Sequence, residues 1–137
     1  MINVVAIDHV VLRVTDLDAV ADFYREVLGA RLEKHQEQIG LYQLRLGDCL
    51  IDLVPVDGPL GRRGGAAPGK EGRNVDHICF RVLPWDGEAI LSALRTHGIE
   101  AEIASRYGAQ GDGPSIYFSD PEGNALELKG PPWPPQR

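Results

Sequence analysis

Two heptapeptides, DHVVLRV at residues 8–14 and DHICFRV at residues 76–82, decide how this sequence folds. The first, second, sixth and seventh positions are identical in the two copies, and the three positions between them are apolar in both. Each heptapeptide opens one half of the 137-residue chain. Self-similarity at a fixed offset indicates a repeated supersecondary unit, so the sequence predicts two related modules.

The first repeat predicts a strand, a helix and three more strands. Residues 4–14 carry mainly β-branched and aliphatic side chains, which favours a strand. Apolar residues at helical spacing follow, between a cap at Thr15 or Asp16 and a terminating glycine, Gly29. The three later strands are expected at residues 30–36, 41–46 and 49–54.

The second repeat predicts the same order of elements. Its first strand is expected at residues 75–82, and the helix that follows ends at Gly98. Residues 107–113 have the composition of a glycine-rich loop, and residues 120–124 that of a tight turn. The three strands that complete the module are expected at residues 99–105, 115–119 and 125–129.

The whole chain, residues 1–137, is long enough for a single domain with a hydrophobic core. Its expected parts are a first βαβββ module at 4–56, a Gly/Pro-rich linker at 57–73, a second βαβββ module at 74–130 and an extended tail at 131–137. The linker holds six glycines and two prolines, so it has little to bury. It is either a plain connection or a flap over a site.

Composition and charge exclude several classes of partner. The formal net charge of −6 argues against a nucleic-acid backbone, which calls for a basic surface. No apolar run approaches the ~20 residues of a membrane span, and the N-terminus lacks the features of a signal peptide. We therefore expect a cytoplasmic protein that binds neither nucleic acid nor membranes. Cys49 and Cys79 do not suggest a disulfide framework and are expected to be small buried residues.

The repeat also predicts a site. Each module begins with a strand histidine, His9 or His77, and ends with a strand that carries one carboxylate, Asp52 or Glu127, between apolar neighbours. A carboxylate on an apolar strand is costly to bury unless it is paired or metal-bound. Two imidazoles with one or two carboxylates suit a divalent transition metal and leave positions for water or substrate. Asp52 has a shorter side chain than glutamate, so it binds such a metal either directly or through water.

Two arginines are candidates for substrate binding. Alternation along the strands places Arg13 on the face of His9 and Arg81 on the face of His77. An arginine that points into a cavity binds a carboxylate or phosphate of a substrate. The alternative is that both lie at strand ends, in solvent or beside acidic residues.

Three segments, IDHVVLRVTDLDAVADFYREVLGARL at 7–32, VDHICFRV at 75–82 and SIYFSDPEGNALEL at 115–128, resemble the vicinal oxygen chelate superfamily. That superfamily includes glyoxalase I, fosfomycin-resistance thiol transferases, bleomycin-resistance proteins and extradiol dioxygenases. The resemblance implies an α+β fold in which two paired βαβββ modules form an incomplete barrel around a metal site. It places the family's metal ligands on His9, His77 and Glu127, and a fourth on Asp52, where glyoxalase I has glutamate or glutamine.

The function that this resemblance implies is that of a glyoxalase-like metalloenzyme. A divalent metal ion (Zn, Ni, Mn, Co or Fe) would chelate vicinal oxygens of a small substrate, including a thiol adduct, for lactoylglutathione-lyase-like isomerisation or related lyase chemistry. Glu127 or Asp52 would be the catalytic base, and the protein is expected to be a homodimer. The alternatives are a fosfomycin-type thiol transferase and a metal-free ligand-binding protein of the bleomycin-resistance type.

Overall fold

The computed structural model describes residues 1–135, and the chain divides into two compact units at Arg73 and Asn74. Each unit has one helix and one open, four-stranded mixed sheet. The predicted α+β fold of two βαβββ modules is confirmed. No helix within residues 1–135 has the length and apolar character needed to cross a membrane.

The first unit follows the predicted order of elements. Its helix and strands are β1 (His9–Val14), α1 (Leu17–Glu26), β2 (Arg31–Gln36), β3 (Leu41–Leu46) and β4 (Cys49–Pro55). The sheet has the order β1-β4-β3-β2, in which β1 and β4 are parallel and the other pairs are antiparallel. Two short 3-10 turns, Glu37–Ile39 and Gly61–Gly64, complete the unit.

The second unit repeats this topology. Its helix and strands are β5 (His77–Arg81), α2 (Gly87–Thr96), β6 (Ile103–Gly108), β7 (Gly111–Ser119) and β8 (Ala125–Lys129). The sheet has the order β5-β8-β7-β6, again with a parallel pair between its first and last strands. The strands that come first and last in each module, β1 with β4 and β5 with β8, therefore lie side by side. This brings the histidine strand beside the carboxylate strand in both units.

The two helices begin and end in the same way. Asp16 and Asp86 each accept a hydrogen bond from the backbone three residues on, at 3.1 Å in both cases. Gly29 and Gly98 follow the helices with φ near +72° and +75°, a conformation that glycine adopts at little cost. The repeat therefore extends to the capping residues, and Asp16 rather than Thr15 is the cap.

One face of each sheet forms the core. In the first unit, Leu44, Ile51 and Leu53 are almost completely buried, together with Val20 and Tyr24 of α1. Burial of each such side chain contributes about 1.5–3 kcal/mol. The second unit buries Ile116, Leu126, Leu91 and Leu94 in the same way. Because side chains alternate along a strand, Asp52 and Glu127 project from the other face of each sheet.

Several strand boundaries differ from the predicted ones, most of all at β1, β6 and β7. β1 begins at His9 rather than at residue 4, and the register with its parallel partner β4 also starts there, with His9 opposite Leu50. Residues 107–113 are not a loop: Gly108 pairs with Gly111, and the chain turns sharply between β6 and β7. Glycine-rich composition suggested a loop there, but the residues on both sides of the turn join the ladder.

The two cysteines differ in exposure, and the tail contacts β6. The prediction that both cysteines are buried is wrong for Cys79, which is exposed, while Cys49 is half-buried. Residues 131–135 form no helix or strand, and the indole Nε1 of Trp133 donates to Oγ of Ser105 at 2.8 Å. The last two residues of the predicted tail, 136 and 137, lie outside the described part of the chain.

Candidate metal centre

In the first unit, His9 and Asp52 lie on the same sheet face. The register between β1 and β4 pairs Val11 with Asp52, and His9 is two residues from Val11. Side chains two residues apart on a strand share a face, so the imidazole and the carboxylate project from neighbouring strands in one direction. Asp52 is 2% exposed, whereas the His9 side chain is 47% exposed.

The carboxylate of Asp52 is only partly satisfied. Its Oδ2 accepts a hydrogen bond from Nε2 of Gln43 at 3.3 Å, and its Oδ1 is buried with no hydrogen-bond partner among residues 1–135. Burial raises the pKa of Asp52, and the Gln43 amide and His9 offset part of that rise. An unpaired buried oxygen costs about 1–3 kcal/mol, and in native proteins a bound ion or an ordered water commonly satisfies such an atom. A cation at Oδ1 would remove that cost.

A row of side-chain amides leads to Asp52. Gln36 on β2 donates from Nε2 to Oε1 of Gln43 at 2.9 Å, and Gln43 on β3 donates to Asp52 on β4. Gln43 and Asp52 are register partners. Sequence reasoning missed both glutamines. The signal was present, since Gln43 is the polar residue in the middle of the apolar strand LYQLRL.

Each site histidine is held by the aspartate before it. Nδ1 of His9 donates to Asp8 at 2.6 Å, and Nδ1 of His77 donates to Asp76 at 2.7 Å. These bonds are the first cause of a raised pKa for both imidazoles. A carboxylate on one ring nitrogen fixes the ring and makes the other a better metal ligand. The first two letters of both heptapeptides thus form an oriented Asp-His pair.

In the second unit, His77 and Glu127 are in direct contact. Nε2 of His77 lies 3.0 Å from Oε1 of Glu127. Two ligand atoms that bind one metal ion at distances of ~2.1 Å and roughly at right angles are themselves about 3.0 Å apart. The pair therefore has a spacing that one divalent ion would accept.

The other oxygen of Glu127 has a buried partner. Oγ of Ser115 donates to Oε2 at 2.6 Å, and both residues are buried. Burial by itself raises the pKa of Glu127, but hydrogen bonds from Ser115 and Tyr117 and the nearby His77 outweigh it, so the pKa is lowered. Glu127 is therefore a carboxylate at neutral pH, fixed in place from β7.

Two further side chains surround Glu127. Cys79 and Tyr117 are its register partners on β5 and β7. The Tyr117 ring meets the His77 ring edge-on, with centroids 5.7 Å apart. Burial of the thiol, and then the charge of Glu127, raise the pKa of Cys79 to about 11, although the residue as a whole is exposed. Both groups are therefore neutral hydrogen-bond donors at this face at neutral pH.

The two arginines have different surroundings. The Arg13 guanidinium donates to three carbonyls of the linker, Gly61 at 2.8 Å, Ala66 at 3.0 Å and Gly65 at 2.5 Å. A side chain at Gly64 would collide with that guanidinium. Arg81 is exposed. Arg13 thus holds residues 61–66 of the linker on the first unit, and substrate binding by either arginine stays a prediction.

The candidate ligands form two pairs, one in each unit. Among residues 1–135, no three histidine, cysteine, aspartate or glutamate side chains are grouped so as to hold a metal ion. The donor set of two imidazoles and two carboxylates nevertheless matches the preference of divalent transition metals. The buried oxygen of Asp52 and the spacing of His77 and Glu127 both fit such an ion.

Comparison with known proteins identifies the family. The model of the Glyoxalase/Bleomycin resistance protein/Dioxygenase superfamily matches residues 6–128. The virulence protein STM3117 of Salmonella typhimurium is 27% identical over 128 residues, which are 89% of this chain and 81% of that protein. Its crystal structure has a TM-score of 0.76 at 26% identity, and the match covers 95% of this chain and 99% of that one.

Two other solved structures have the same fold. A protein from the mobile metagenome of V. Pseudocholerae has a TM-score of 0.75 at 25% identity, over 95% of this chain and 97% of that one. The fosfomycin resistance protein FosX of Listeria monocytogenes has a TM-score of 0.69 at 21% identity, over 93% and 92% of the two chains, a likeness in fold alone. This chain belongs to the Glyoxalase/Bleomycin resistance protein/Dioxygenase superfamily.

Proposed function

We propose that this protein is a glyoxalase-like metalloenzyme whose divalent metal ion is bound by His9, Asp52, His77 and Glu127. The proposal rests on one observation: the same arrangement of a histidine and a buried carboxylate occurs in both modules. In each module a histidine, held by the aspartate before it, lies on the same sheet face as a buried carboxylate of the neighbouring parallel strand. A structural role for one such pair is easily imagined, but two pairs in matching register favour a shared ligand.

The bound ion would act as a Lewis acid on a small substrate whose vicinal oxygens chelate it, and it would stabilise the anion that remains after a side-chain base has taken a proton from the substrate. The remaining chemistry falls to side chains. Both oxygens of Glu127 are already engaged, by His77 and Ser115, which suits a fixed ligand. With an ion at Oδ1, Asp52 keeps its Oδ2, which accepts only one long hydrogen bond of 3.3 Å from Gln43, so this oxygen suits a base that accepts a proton from the substrate. Asp52 is thus the preferred base, and Glu127 the second candidate.

The proposed ligand set is completed when a first-unit face and a second-unit face approach one ion, within a chain or between two copies. We propose a homodimer, because large apolar side chains remain exposed on the first unit. They include Val11, at 46% exposure beside His9, and the N-terminal residues Ile2, Val4, Val5 and Ile7. Sedimentation of the metal-loaded protein should give twice the mass of the chain, and a monomer at micromolar concentration contradicts the dimer.

Activity is the test of the enzymatic claim. Metal-stripped protein is reloaded separately with Zn, Ni, Mn, Co and Fe(II) and incubated with methylglyoxal–thiol adducts, epimerase substrates and fosfomycin plus a thiol. Turnover with at least one metal, lost in Asp52→Asn but kept in the exposed control Asp48→Asn, supports the proposal. Metal-independent turnover contradicts it. Binding of a ligand without metal or turnover supports the metal-free binding protein instead.

A further inference from the structure

The second unit contains an open cleft of about 500 Å³, and one of the residues that line it, Tyr117, contacts His77. Ligand sites for small molecules commonly have volumes of roughly 300–1,000 Å³. The side chains that line it come from the segment before β6, from β6 itself and from β7. They are Glu100, Ala101, Glu102, Ala104, Arg106 and Tyr117. The two alanines leave space between the charged walls.

The charges that line this cleft do not neutralise each other. Glu100, Glu102 and Arg106 are all exposed. Within residues 1–135, no ion pair joins the Arg106 guanidinium to either glutamate. The guanidinium uses Nη1 to donate to the carbonyl of Ser105 at 2.8 Å, which leaves further N–H groups for a ligand. One positively charged and two negatively charged side chains in this cleft can therefore bind the same ligand.

Tyr117 connects the cleft to the candidate metal centre. The Arg106 guanidinium carbon lies 5.8 Å from the centroid of the Tyr117 ring, which is itself in edge-on contact with His77. On its other side, Tyr117 is the register partner of Glu127 on β8. Tyr117 is therefore common to the wall of the cleft and to the surroundings of His77 and Glu127.

We propose that this cleft binds the zwitterionic α-amino carboxylate part of the substrate. Arg106 binds the carboxylate in the bidentate manner for which a guanidinium is suited, and Glu100 and Glu102 accept hydrogen bonds from the ammonium group. The Tyr117 ring forms the wall on the side of the metal centre. The inference rests on the proposed function only for where the reacting end of the substrate lies, whereas recognition of the zwitterion depends on the cleft alone.

Binding of three small probes by the full chain tests the cleft. The probes are S-methyl-L-cysteine, its N-acetyl derivative and its methyl ester, measured by ligand-observed NMR on metal-stripped protein in EDTA. Because each derivative lacks one of the two charges, each should bind at least ~10-fold more weakly than the parent compound. Equal binding of all three probes, or no binding of the parent, overturns the proposal.

Variants then assign the two charges. Arg106→Gln should lower the affinity for S-methyl-L-cysteine at least ~10-fold, so that this probe no longer binds more tightly than its methyl ester. In the double variant Glu100→Gln/Glu102→Gln, S-methyl-L-cysteine should no longer bind more tightly than its N-acetyl derivative. Arg95→Gln and Glu88→Gln, on exposed positions of α2, are the matched controls and should bind like wild type. Unchanged discrimination in the cleft variants overturns the assignment.

Metal content separates this inference from the proposed function. Arg106→Gln should keep the metal stoichiometry of wild type, because Arg106 is not a proposed ligand. If wild-type protein binds metal but shows no preference for the zwitterion, the cleft inference alone fails. If zwitterion binding persists in a protein that takes up no metal, the proposed function alone fails. Zwitterion binding that requires metal indicates chelation by the ion and overturns the cleft inference.

Discussion

Nε2 of His77 lies 3.0 Å from Oε1 of Glu127, and the other ring nitrogen of His77 lies 2.7 Å from Asp76. The imidazole is thus placed between two carboxylates of different character. Asp76 is exposed and adjacent in sequence, whereas Glu127 is buried on the neighbouring strand. Such a ring is fixed in orientation and keeps a proton more tightly than a free histidine. The first unit repeats half of this arrangement, with His9 held by Asp8.

The aspartates before the histidines should tune metal affinity. Asp8→Asn and Asp76→Asn remove the carboxylate that accepts from Nδ1, so the ring loses both orientation and basicity. Loss of such a partner typically weakens metal binding ~10–100-fold. Competition with a chelating dye measures the affinity, and Asp48→Asn and Asp112→Asn at exposed positions are the controls. Affinities of all four variants equal to wild type would contradict this role.

Metal affinity should rise with pH over an interval that lies above the ordinary histidine value. The pKa values of His9 and His77 are raised from 6.5, first by the hydrogen bonds to Asp8 and Asp76. A metal must displace the proton from each ring nitrogen that it binds, so affinity increases until both imidazoles are neutral. Competition titrations between about pH 6 and 8.5 should show continued strengthening above pH 6.5. Affinity that is constant above that pH would argue against imidazole ligands.

Asp52→Asn should stabilise the metal-free protein. The folded-state pKa of Asp52 is raised by burial, so its contribution to stability is fully present below the unfolded pKa and is lost as pH rises through the folded pKa. The neutral amide should therefore raise the free energy of unfolding at pH 7 by about 1 kcal/mol, with a smaller gain at pH 4. Urea unfolding in EDTA measures both values.

The same variant should behave differently with metal present. Because Asp52→Asn removes a proposed ligand, the added metal should raise its unfolding midpoint less than that of wild type. The exposed control Asp48→Asn should match wild type in both conditions. Destabilisation of metal-free Asp52→Asn would show that the carboxylate has a structural partner and is not held for an ion.

Arg13 should protect the linker from proteolysis. Its guanidinium donates to three linker carbonyls, and the same linker segment contains two trypsin sites, Arg62 and Arg63. Arg13→Ala should therefore increase the rate of cleavage at these sites several-fold, which mass spectrometry of timed digests would show. Arg81→Ala, the equivalent exposed position in the second module, is the control. Equal cleavage of both variants and wild type would mean that Arg13 does not hold the linker.

Much of the fold was predictable because the sequence repeats itself. The two Asp-His pairs, the capping aspartates and the terminating glycines recur at matching positions, and alternation along strands then places Asp52 and Glu127 on the faces of the histidines. The contacts of Gln43 and Ser115 were not predictable, since they depend on cross-strand register. Arg13 binds carbonyls some fifty residues away, a contact that no local pattern encodes.

The extension of β6 and β7 as far as their turn was missed for a different reason. Its sequence, YGAQGDG followed by Pro114, has the composition of a loop, and proline is rare inside a strand. The structure nevertheless pairs Tyr107 with Asp112 and Ser105 with Pro114. Pairing across the turn therefore prevailed over local propensity, and it extends β6 through Arg106, which lines the cleft.

Metal content of the untagged protein and of two histidine variants tests the central claim most directly. Elemental analysis after loading and desalting should find one divalent ion per chain in the wild type. The control variant His35→Ala, which changes an exposed histidine outside the proposed site, should bind the same amount. His9→Ala and His77→Ala should each lose most of that metal, because each variant removes the proposed histidine ligand of one module. Stoichiometric metal in both variants, or a wild-type protein that takes up none of the five metals, would contradict a centre shared by the two modules.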